Sequence, residues 1–538
     1  MRRATDHYRV AIVGSGFAGL GAAVKLAQAG IEDFVVLERS DEIGGTWHLN
    51  TYPGCQCDIP SHLYSFSFAP NPNWSRTYSR QPEIWAYLRD VSRKYGIDSH
   101  VRLRHHMTAA RWDDEASRWR IETEVGAHPA HIAQAGATDS ADATDSTGAT
   151  DSASSEVGAP SYVGELTADL LIACPGQLDV PRLPDIEGID SFAGTIFHSA
   201  EWDHSHSLRN ERVGVIGTGA SAIQFVPQIH SEVSRLHVFQ RTPPWILPHS
   251  DRPTTAVERA LYRRLPALQR AVRGAIYASR ELVVPTLMHP HRGSIAERIA
   301  RRHLRAQVPN PVLRAKLTPR YMVGCKRTLI SNDWYPALQQ PGVELVTDAI
   351  ARIEPGGIVT ADGRTRELDT IVLGTGFHVA EMPVGEWVHG RDGRTLADVW
   401  REHGAQAYLG TTVAGFPNLL LMYGPNTNLG HNSIVFMIES QLNYVMDCIA
   451  HLDRTGMASF EVRADAQTRY NDELQRRLQG TVWSTGGCSN WYLDEHGRNS
   501  TIWPGSTWPY RRRTRHFDPG SYVLSPSVTH ERIEFATA

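Results

Sequence analysis

The segment Tyr8–Glu38, YRVAIVGSGFAGLGAAVKLAQAGIEDFVVLE, decides how the N-terminal part of this chain folds. The apolar run Val10–Val13 predicts a strand, and the small residues up to about Ala29 predict a helix. The run Phe34–Leu37 predicts a second strand, which ends at an acidic residue. Strand, glycine-rich loop, helix and strand in this order form a βαβ unit, the building block of dinucleotide-binding domains.

The loop of this unit is Gly14-Ser15-Gly16-Phe17-Ala18-Gly19. Gly14 permits a tight turn, Gly16 lets the backbone approach a pyrophosphate, and Gly19 lets helix and strand pack closely. The helix N-terminus offers unpaired N–H groups and a positive dipole end to phosphates. Glu38, at the end of the second strand, is placed to accept hydrogen bonds from ribose hydroxyls. The spacing predicts a dinucleotide site.

A second unit of the same kind spans Arg212–Arg241, RVGVIGTGASAIQFVPQIHSEVSRLHVFQR. Its loop is Gly217-Thr218-Gly219-Ala220-Ser221-Ala222, with Ala222 at the third glycine position. The second strand ends in Arg241 and Thr242, without a carboxylate, and a guanidinium can pair with a 2′-phosphate. We therefore predict NADPH at this loop and FAD at the first. The alternative for Arg241 is a surface ion-pair residue.

Two dinucleotide sites in one chain imply hydride transfer from a nicotinamide to a flavin, which passes electrons onward. The predicted fold class is α/β, with two Rossmann-like dinucleotide-binding domains for FAD and NADPH and a helical insertion. The predicted segments are an FAD-binding domain of residues 1–178 and 375–538, an NADPH-binding domain of 179–242 and 325–374, a helical insertion of 243–324, and a disordered tract of 126–160 in which ATDS recurs.

Length and composition narrow the class of protein. A chain of 538 residues is too long to fold around a single hydrophobic core, and its hydrophobic content of 41% is ordinary for a globular protein. A net charge of −4 gives no reason to expect a nucleic-acid partner. Without a signal core or an 18-residue apolar stretch, we expect a cytoplasmic protein with no membrane partner. Oligomeric state is not predicted.

Cysteines and the loop after the first unit limit the chemistry. Six cysteines are too sparse for a disulfide framework, and Cys55 with Cys57 cannot complete a zinc site. We therefore predict packing residues or free thiols there, and no metal. The loop Gly44–Asp58, GGTWHLNTYPGCQCD, suits packing against a flavin. It lacks two cysteines separated by four residues on a helix, which argues against a disulfide reductase.

The segment FAGTIFHSAEWD fits the pattern FxGxxxHxxxW followed by Pro or Asp, at Phe192, Gly194, His198, Trp202 and Asp203. With this segment, the chain resembles the Baeyer–Villiger monooxygenases, which belong to the class B flavin monooxygenases. The loop Gly44–Asp58 resembles the second signature of that family. The resemblance extends over both nucleotide units, the GTGF and GCKR segments and AGFPNLLLMYGPN. The tail after Gly486 is similar to the subgroup of 4-hydroxyacetophenone monooxygenase-like enzymes.

The resemblance implies a reaction and roles for individual residues. FAD is reduced by NADPH, O₂ adds to give a C4a-peroxyflavin, and this inserts one oxygen atom into a ketone to give an ester or lactone. Thioethers are expected as secondary substrates. Arg327 matches the active-site arginine of the family, Asp58 the acid that positions it, and Lys326 a residue that meets the NADPH 2′-phosphate. His198 is expected to couple the state of the cofactors to domain movement.

The expected cofactor contacts combine the residues of the glycine-loop motifs with those that the family resemblance implies. The FAD set is Gly14, Ser15, Gly16, Phe17, Gly19, Glu38, Gly45, Thr46, Trp47, Asp58, Tyr64 and Asn426. The NADPH set is Gly217, Thr218, Gly219, Ala220, Ser221, Arg241, Thr242, Lys326 and Arg327.

Alternatives remain open at this point. A flavin monooxygenase that oxygenates nitrogen or sulfur would more usually have Tyr or Phe at Trp202. A non-catalytic FAD sensor is disfavoured by the two glycine loops together with Arg241 and Arg327. The tail tryptophans Trp483, Trp491, Trp503 and Trp508 are candidates either for an aromatic substrate pocket or for packing between domains.

Overall fold

The computed structural model describes residues 6–126, 162–291, 294–379, 382, 384–494 and 496–526. The predicted disordered tract, apart from its first residue, lies outside the described residues.

The described residues form twenty strands. They are β1 (Asp6–Val13), β2 (Phe34–Leu37), β3 (Val101–Arg102), β4 (His105–Asp113), β5 (Arg118–Val125), β6 (Tyr162–Ala173), β7 (Thr195–His198), β8 (Arg212–Ile216), β9 (Arg235–Phe239), β10 (Ile246–Leu247), β11 (Leu329–Ile330), β12 (Val343–Val346), β13 (Ile350–Glu354), β14 (Gly357–Thr360), β15 (Thr365–Glu367), β16 (Thr370–Leu373), β17 (Val388–His389), β18 (Leu419–Leu421), β19 (Met457–Val462) and β20 (Tyr522–Pro526).

The α-helices of the described residues number sixteen. They are α1 (Phe17–Gln28), α2 (Thr46–Leu49), α3 (Gln81–Lys94), α4 (Ala222–Ile229), α5 (Ala256–Arg264), α6 (Pro266–Glu281), α7 (Val284–Met288), α8 (Ile295–Gln307), α9 (Pro311–Lys316), α10 (Trp334–Ala337), α11 (Val384–Trp387), α12 (Leu396–His403), α13 (Ile434–Thr455), α14 (Ala464–Leu478), α15 (Val482–Thr485) and α16 (Thr507–Arg513).

The larger sheet has eight strands in the order β17-β4-β5-β6-β1-β2-β3, with β18 also paired to β6. Its strands β2, β1 and β6 are parallel, and both faces of β2 are buried. This explains why β2 reads as a continuous apolar run in the sequence. Strands β17 and β18, from the last third of the chain, join this sheet, so both ends of the sequence build one domain core.

The second sheet is entirely parallel, in the order β12-β9-β8-β16-β7. The neighbours of β8 are β9 and β16, which lie on its two sides, so the loop after β8 opens at the point where the strand order reverses. Crevices at such switch points are where open α/β sheets bind dinucleotides. The predicted class, α/β with two Rossmann-like units, is confirmed.

Helices α5 to α9 lie within the segment predicted as a helical insertion. Strands β10 and β11 pair in parallel, β10 near the start of this segment and β11 shortly after its end, so the two ends of the insertion lie together. The insertion also touches the first domain, because Asp251 accepts hydrogen bonds from Arg76 Nε at 2.5 Å and from the Tyr78 amide at 3.1 Å. The exact limits of the three segments stay predictions.

No described helix is long and apolar enough to cross a membrane.

Candidate active site

The first glycine-rich loop is shaped by contacts that admit no side chain. Gly14 has φ +92°, and a Cβ there would lie 2.6 Å from the Cys174 carbonyl oxygen. A Cβ on Gly19 would lie 1.8 Å from the Gly14 carbonyl oxygen, so helix α1 can approach β1 only with glycine at that position. The loop therefore brings bare backbone N–H groups to the N-terminus of α1, as a pyrophosphate site requires.

Glu38 lies at the rim of this loop, at the end of β2. Its carboxylate is buried and accepts hydrogen bonds from the Ser15 amide at 2.9 Å, the Ser15 hydroxyl at 2.5 Å and the Ser40 amide at 2.8 Å. These contacts fix a negative group next to the glycine loop. The position fits the ribose contact that the sequence predicts.

The predicted flavin loop, Gly44–Asp58, lies against the first glycine loop. A Cβ on Gly45 would lie 3.0 Å from the Cα of Gly16, so the two glycine stretches face each other across a narrow gap. Trp47, in α2, donates a hydrogen bond from Nε1 to the Tyr64 hydroxyl at 3.1 Å. The Tyr64 ring meets Phe17 edge-on, with 5.0 Å between the ring centroids. These residues enclose a cradle that fits a flavin dinucleotide.

The second loop repeats the glycine geometry with a wider opening. Gly217 has φ +112°, and a Cβ there would lie 2.3 Å from the Gly374 carbonyl oxygen, whereas a Cβ on Gly219 would meet no atom within 4 Å. The open space beside Gly219 fits a bound phosphate. Ala222, at the third glycine position, is the first residue of α4 and is buried.

Cationic side chains form the rim of the second loop. Arg241 is exposed at the end of β9. The pKa of Lys326 is lowered, first by burial and then by the positive charge of Arg241, so the two cations lie near each other. Two neighbouring cations repel unless an anion separates them, and this arrangement fits a phosphate monoester. The Thr218 hydroxyl donates to the Thr242 carbonyl at 3.5 Å, which joins the loop to this rim.

The flavin loop also contacts the second unit, through helix α4. Gln224 Oε1 accepts from the Tyr52 hydroxyl at 3.0 Å and from the Gln56 amide at 3.2 Å, and its Nε2 donates to the Gln56 carbonyl at 3.1 Å. A Cβ on Gly54 would lie 2.7 Å from the Gln224 carbonyl oxygen. The two dinucleotide sites therefore meet along this loop.

Arg327 and Asp58 meet at this junction, although 269 positions separate them. Arg327 Nε donates to Asp58 Oδ2 at 2.8 Å and Nη2 donates to Oδ1 at 2.7 Å, a two-pronged ion pair. The Arg327 side chain is one-third exposed, so its guanidinium can meet a ligand. The Asp58 charge raises the pKa of Arg327 further above its usual range. The arginine is permanently cationic and fixed in orientation.

Two tyrosines beside Arg327 were missed in the sequence. The charge of Arg327 acts on the pKa values of both Tyr423 and Tyr492, although burial raises each pKa overall, that of Tyr492 to about 12. Tyr423 has φ +58°, and its amide donates to Gln441 Oε1 at 2.9 Å. The tail does contain the aromatic run at Trp491–Tyr492, but nothing in that run places it next to Arg327.

Cys325 and Cys488 form a disulfide, which the sequence analysis did not predict. The bond connects the GCKR segment to the C-terminal tail, where the Met322 amide also donates to the Gly486 carbonyl at 2.9 Å. A single long-range disulfide cannot be read from sparse cysteines, because no sequence pattern links two cysteines that are 163 positions apart. Cys55 and Cys57 are free and buried, as predicted.

The segment Phe192–Asp203 contains β7, the edge strand of the second sheet. A Cβ on Gly194 would lie 2.2 Å from the Asp369 carbonyl oxygen and 2.7 Å from the Phe192 ring. Trp202 packs on Phe197 and Phe225, and Asp203 Oδ1 accepts from the Ser205 amide at 2.8 Å. Packing therefore explains Phe192, Gly194 and Trp202 in the motif, and turn formation explains Asp203.

His198 ends strand β7 and is buried. Its Nδ1 accepts from the Ala200 amide at 3.1 Å, and its ring lies edge-on to Phe377 in the GTGF segment. Burial lowers the pKa of His198 to about 4, so the imidazole is neutral at pH 7. Its coupling role stays a prediction.

Asn426 connects the GPN turn to the C-terminal tail. Its Nδ2 donates to the Asn499 carbonyl at 2.8 Å and to the Ile502 carbonyl at 3.0 Å. Its buried Oδ1 has no hydrogen-bond partner among the described residues. A buried acceptor without a partner among the described residues could accept from a ligand donor, but the predicted FAD contact of Asn426 stays a prediction.

Family models match two parts of the chain. Residues 12–81 match an NAD(P)-binding Rossmann-like domain, and residues 163–282 match a flavin-binding monooxygenase-like family.

Solved structures of flavin monooxygenases share the fold over almost the whole chain. A steroid monooxygenase bound to NADP superposes with a TM-score of 0.79 at 28% identity, covering 97% of this chain and 100% of that one. A closed cyclohexanone monooxygenase gives 0.80 at 25% identity with the same coverage.

Curated relatives are more similar in sequence. A Baeyer–Villiger monooxygenase of Streptomyces coelicolor is 47% identical over 99% of this chain and 96% of its own length. Another, of Pseudomonas aeruginosa, is 44% identical over 97% of this chain and 92% of its own length. The predicted resemblance is therefore confirmed, and the chain belongs to the Baeyer–Villiger monooxygenases, a family of FAD- and NADPH-dependent enzymes.

Proposed function

We propose that this enzyme uses FAD, NADPH and O₂ to convert a ketone into an ester or lactone at a centre defined by Arg327 and Asp58. The observation that carries the proposal is the two-pronged ion pair between these residues at the junction of the two dinucleotide units. When bound, FAD reduced by NADPH supplies the electrons that split O₂, so that one oxygen atom enters the ketone and the other leaves as water.

Arg327 supplies a fixed positive charge where the ketone oxygen becomes negative during attack. Because Asp58 already holds the guanidinium in place, little reorganisation is needed when that charge develops. One preorganised donor of this kind is worth about 3 to 4 kcal/mol of transition-state stabilisation. Asp58 acts as a positioning residue, since both of its oxygens accept from Arg327.

The charged residues beside each glycine loop assign the cofactors, an acid at the first loop and cations at the second. FAD occupies the first loop and the cradle of Phe17, Thr46, Trp47 and Tyr64, with its ribose at Glu38. NADPH occupies the loop Gly217–Ser221, with its 2′-phosphate between Arg241, Thr242 and Lys326. The neighbouring positive charges of Lys326 and Arg241 support this assignment, because a bound phosphate would offset their mutual repulsion.

Aromatic ketones are the proposed substrate class, with thioethers as secondary substrates. Tyr423 and Trp491 are partly exposed. Tyr423 lies within the electrostatic range of Arg327, and Trp491 packs on the buried ring of Tyr492 with 4.1 Å between the ring centroids and 45° between the ring planes. Aromatic surfaces favour offset or edge-on contact with an aromatic substrate. Among the other tail tryptophans, Trp483 and Trp503 are buried packing residues and Trp508 is exposed at the surface.

The variants Arg327→Ala and Arg327→Lys test the proposal. With FAD-loaded protein, NADPH and an aryl methyl ketone, Arg327→Ala should lower ester formation by about 10²- to 10³-fold. Arg327→Lys keeps the charge but loses the two-pronged contact, so it should recover only part of the rate. Product is quantified by chromatography and NADPH consumption by absorbance.

Arg320→Ala is the matched control, because Arg320 is an exposed arginine in the same connection that leads to Arg327. It should retain the wild-type rate. Wild-type protein that consumes NADPH and releases only hydrogen peroxide with every ketone would refute the proposal, as would an Arg327→Ala variant with unchanged ester formation.

A further inference from the structure

Helix α6 of the insertion packs against the protein with a face of mixed polarity and turns an apolar face towards solvent. Of its sixteen residues, all within the described part of the chain, Gln269 alone is fully buried. Gln269 Nε2 donates to the Asn71 carbonyl at 2.8 Å, and Arg273 Nη1 donates to the His62 carbonyl at 2.7 Å and the Ser65 carbonyl at 2.8 Å. The inner face also carries Ile276 and Tyr277, which pack against the hydrophobic core, where the Tyr277 ring stacks on Phe436.

The outward face of α6 is apolar. Leu268, Ala271 and Ala275 lie in the helix, and Leu282 follows its last residue with helical backbone angles. Their spacings of three, four and seven residues place the four on one side. All four are exposed, Leu282 by 79%. The distance along the helix from the first to the last is about 21 Å at 1.5 Å per residue. Leu265, just before the helix, is 53% exposed.

Trp508 extends this apolar face at its C-terminal end. Its indole is 64% exposed, and its neighbour Thr507 donates a hydrogen bond from Oγ1 to Glu281 at 2.7 Å, one residue before Leu282. We call the surface formed by Leu265, Leu268, Ala271, Ala275, Leu282 and Trp508 the α6 strip. An exposed apolar strip of this length on a helix whose other face packs against the protein indicates a partner that takes up apolar side chains.

The charges around the α6 strip are positive. Arg263, Arg264 and Arg270 are exposed near its first end, and Arg512 is exposed near Trp508. Between residues 255 and 285 the acids are Glu258 and Glu281, and both are engaged. Glu258 pairs with Arg252 at 2.6 Å, and Glu281 accepts from Asn432 at 2.6 Å as well as from Thr507.

The same bias holds for the whole insertion. Residues 243–324 contain 15 arginine and lysine residues against 4 acidic ones, although the complete chain has a net charge of −4. Such a difference between segments of one chain indicates an anionic partner. Two-fold pairing with a second copy would bring arginines towards arginines, because both ends of the α6 strip are basic.

We propose that the α6 strip is a docking surface for the anionic face of a lipid bilayer. Helix α6 lies in the plane of the headgroups, the leucines and Trp508 enter the boundary of the acyl chains, and the arginines contact anionic headgroups. The indole of tryptophan favours this interfacial position. This proposal concerns attachment to a membrane surface, whereas the sequence prediction of no membrane partner came from the lack of a spanning segment.

Co-sedimentation of the FAD-loaded protein with lipid vesicles tests the proposal. We expect binding to equimolar phosphatidylcholine and phosphatidylglycerol, much weaker binding to phosphatidylcholine alone, and loss of binding as salt rises. The double variant Leu268→Glu/Leu282→Glu should weaken binding at least about tenfold, because two charges replace apolar anchors. Leu183→Glu is the matched control, since Leu183 is 59% exposed but lies away from the insertion, and it should bind like wild type.

A second variant separates charge from apolar anchoring. Arg263→Ala/Arg264→Ala/Arg270→Ala should remove the preference for anionic vesicles, while its rate of ketone oxidation stays unchanged. Failure of the wild-type protein to sediment with anionic vesicles would overturn the proposal. So would equal sedimentation of wild type and the Leu268→Glu/Leu282→Glu variant. A wild-type dimer in sedimentation velocity that this double variant dissociates would overturn it in favour of a second copy.

Discussion

Two regions of the molecule carry the same strand, loop and helix, one after β1 and the other after β8. In both, the first glycine has a positive φ and touches a neighbouring carbonyl, Cys174 in the first loop and Gly374 in the second. The residues at the end of the second strand differ. The first unit ends in a buried Glu38 with three hydrogen bonds, and the second in an exposed Arg241 near Lys326.

This difference indicates that the glycine loop binds the pyrophosphate of any dinucleotide, whereas the residue at the end of the second strand selects which dinucleotide binds. Glycine geometry exposes backbone N–H groups for any pyrophosphate, so it is shared. The side chain at the strand end meets the ribose, where a carboxylate accepts from hydroxyls and repels a 2′-phosphate. An arginine at the same position attracts a 2′-phosphate through charge-assisted hydrogen bonds. Substitutions in the two classes of position should therefore have different consequences.

The largest effect is expected for Gly19→Ala in the first loop. The new Cβ would lie 1.8 Å from the Gly14 carbonyl oxygen, so the loop and α1 must move apart. We expect a loss of about 3 kcal/mol of unfolding free energy or more, together with loss of bound FAD. Thermal unfolding and the flavin absorbance of the purified protein measure both effects.

Gly219→Ala provides the control in the second loop, where a Cβ would meet no atom within 4 Å. Its melting temperature and FAD content should match wild type. Equal melting temperatures for Gly19→Ala and Gly219→Ala would contradict the steric account of the first loop.

A smaller effect, confined to the nicotinamide cofactor, is expected for Arg241→Ala. The loss of a charge-assisted bond to the 2′-phosphate should raise KM for NADPH by about 10- to 100-fold and leave KM for NADH unchanged. Steady-state rates with each cofactor give the ratio. Arg235→Ala, at the opposite end of β9, should leave the ratio as in wild type. Equal weakening of both cofactors by Arg241→Ala would assign Arg241 to general stability.

The sequence was sufficient to predict the parts that depend on short-range patterns. The limits of β2 were predicted to the residue, and both glycine loops were placed correctly, because apolar runs and glycine spacings are local signals. The meeting of Asp58 and Arg327 came from the family resemblance, since nothing local connects residues 269 positions apart. Their catalytic roles and the cofactor contacts stay predictions.

Other features depend on long-range packing and were not predicted. Strand β17 joins β4 through two residue pairs only, too few for a sequence pattern. Tyr492 comes to Arg327 because the C-terminal tail folds back across the junction. The solvent exposure of the apolar face of α6 is visible only once Gln269 and Arg273 are seen to bind backbone carbonyls of the first domain. Helical spacing gives the two faces of a helix, but not which of them faces the protein.

A tenfold effect is expected for Glu38→Gln. The amide oxygen keeps one acceptor for the Ser15 amide, but the negative charge and one acceptor are lost at the predicted ribose position. We expect about tenfold weaker FAD binding, equal to about 1.4 kcal/mol, with unchanged KM for NADPH. Fluorescence titration of the apoprotein with FAD measures the affinity. Glu32→Gln, an exposed residue before the other end of β2, is the control and should bind FAD normally.

The smallest effect is expected from opening the disulfide between Cys325 and Cys488. The bond fixes the chain one residue before Lys326, so its loss should loosen the NADPH rim and leave the first loop untouched. We expect Cys488→Ser to raise KM for NADPH about threefold, under 1 kcal/mol, with unchanged FAD content.

Denatured wild-type protein should expose four thiols before reduction and six after it, since Cys55, Cys57, Cys174 and Cys448 are free. Cys174→Ser is the control for a buried thiol beside the first loop, and it should leave KM for NADPH unchanged. Because reducing compartments open most disulfides, the wild-type enzyme treated with dithiothreitol should behave like Cys488→Ser. If KM stays constant in both while the thiol count changes, the NADPH rim is held by the Met322–Gly486 hydrogen bond and packing alone.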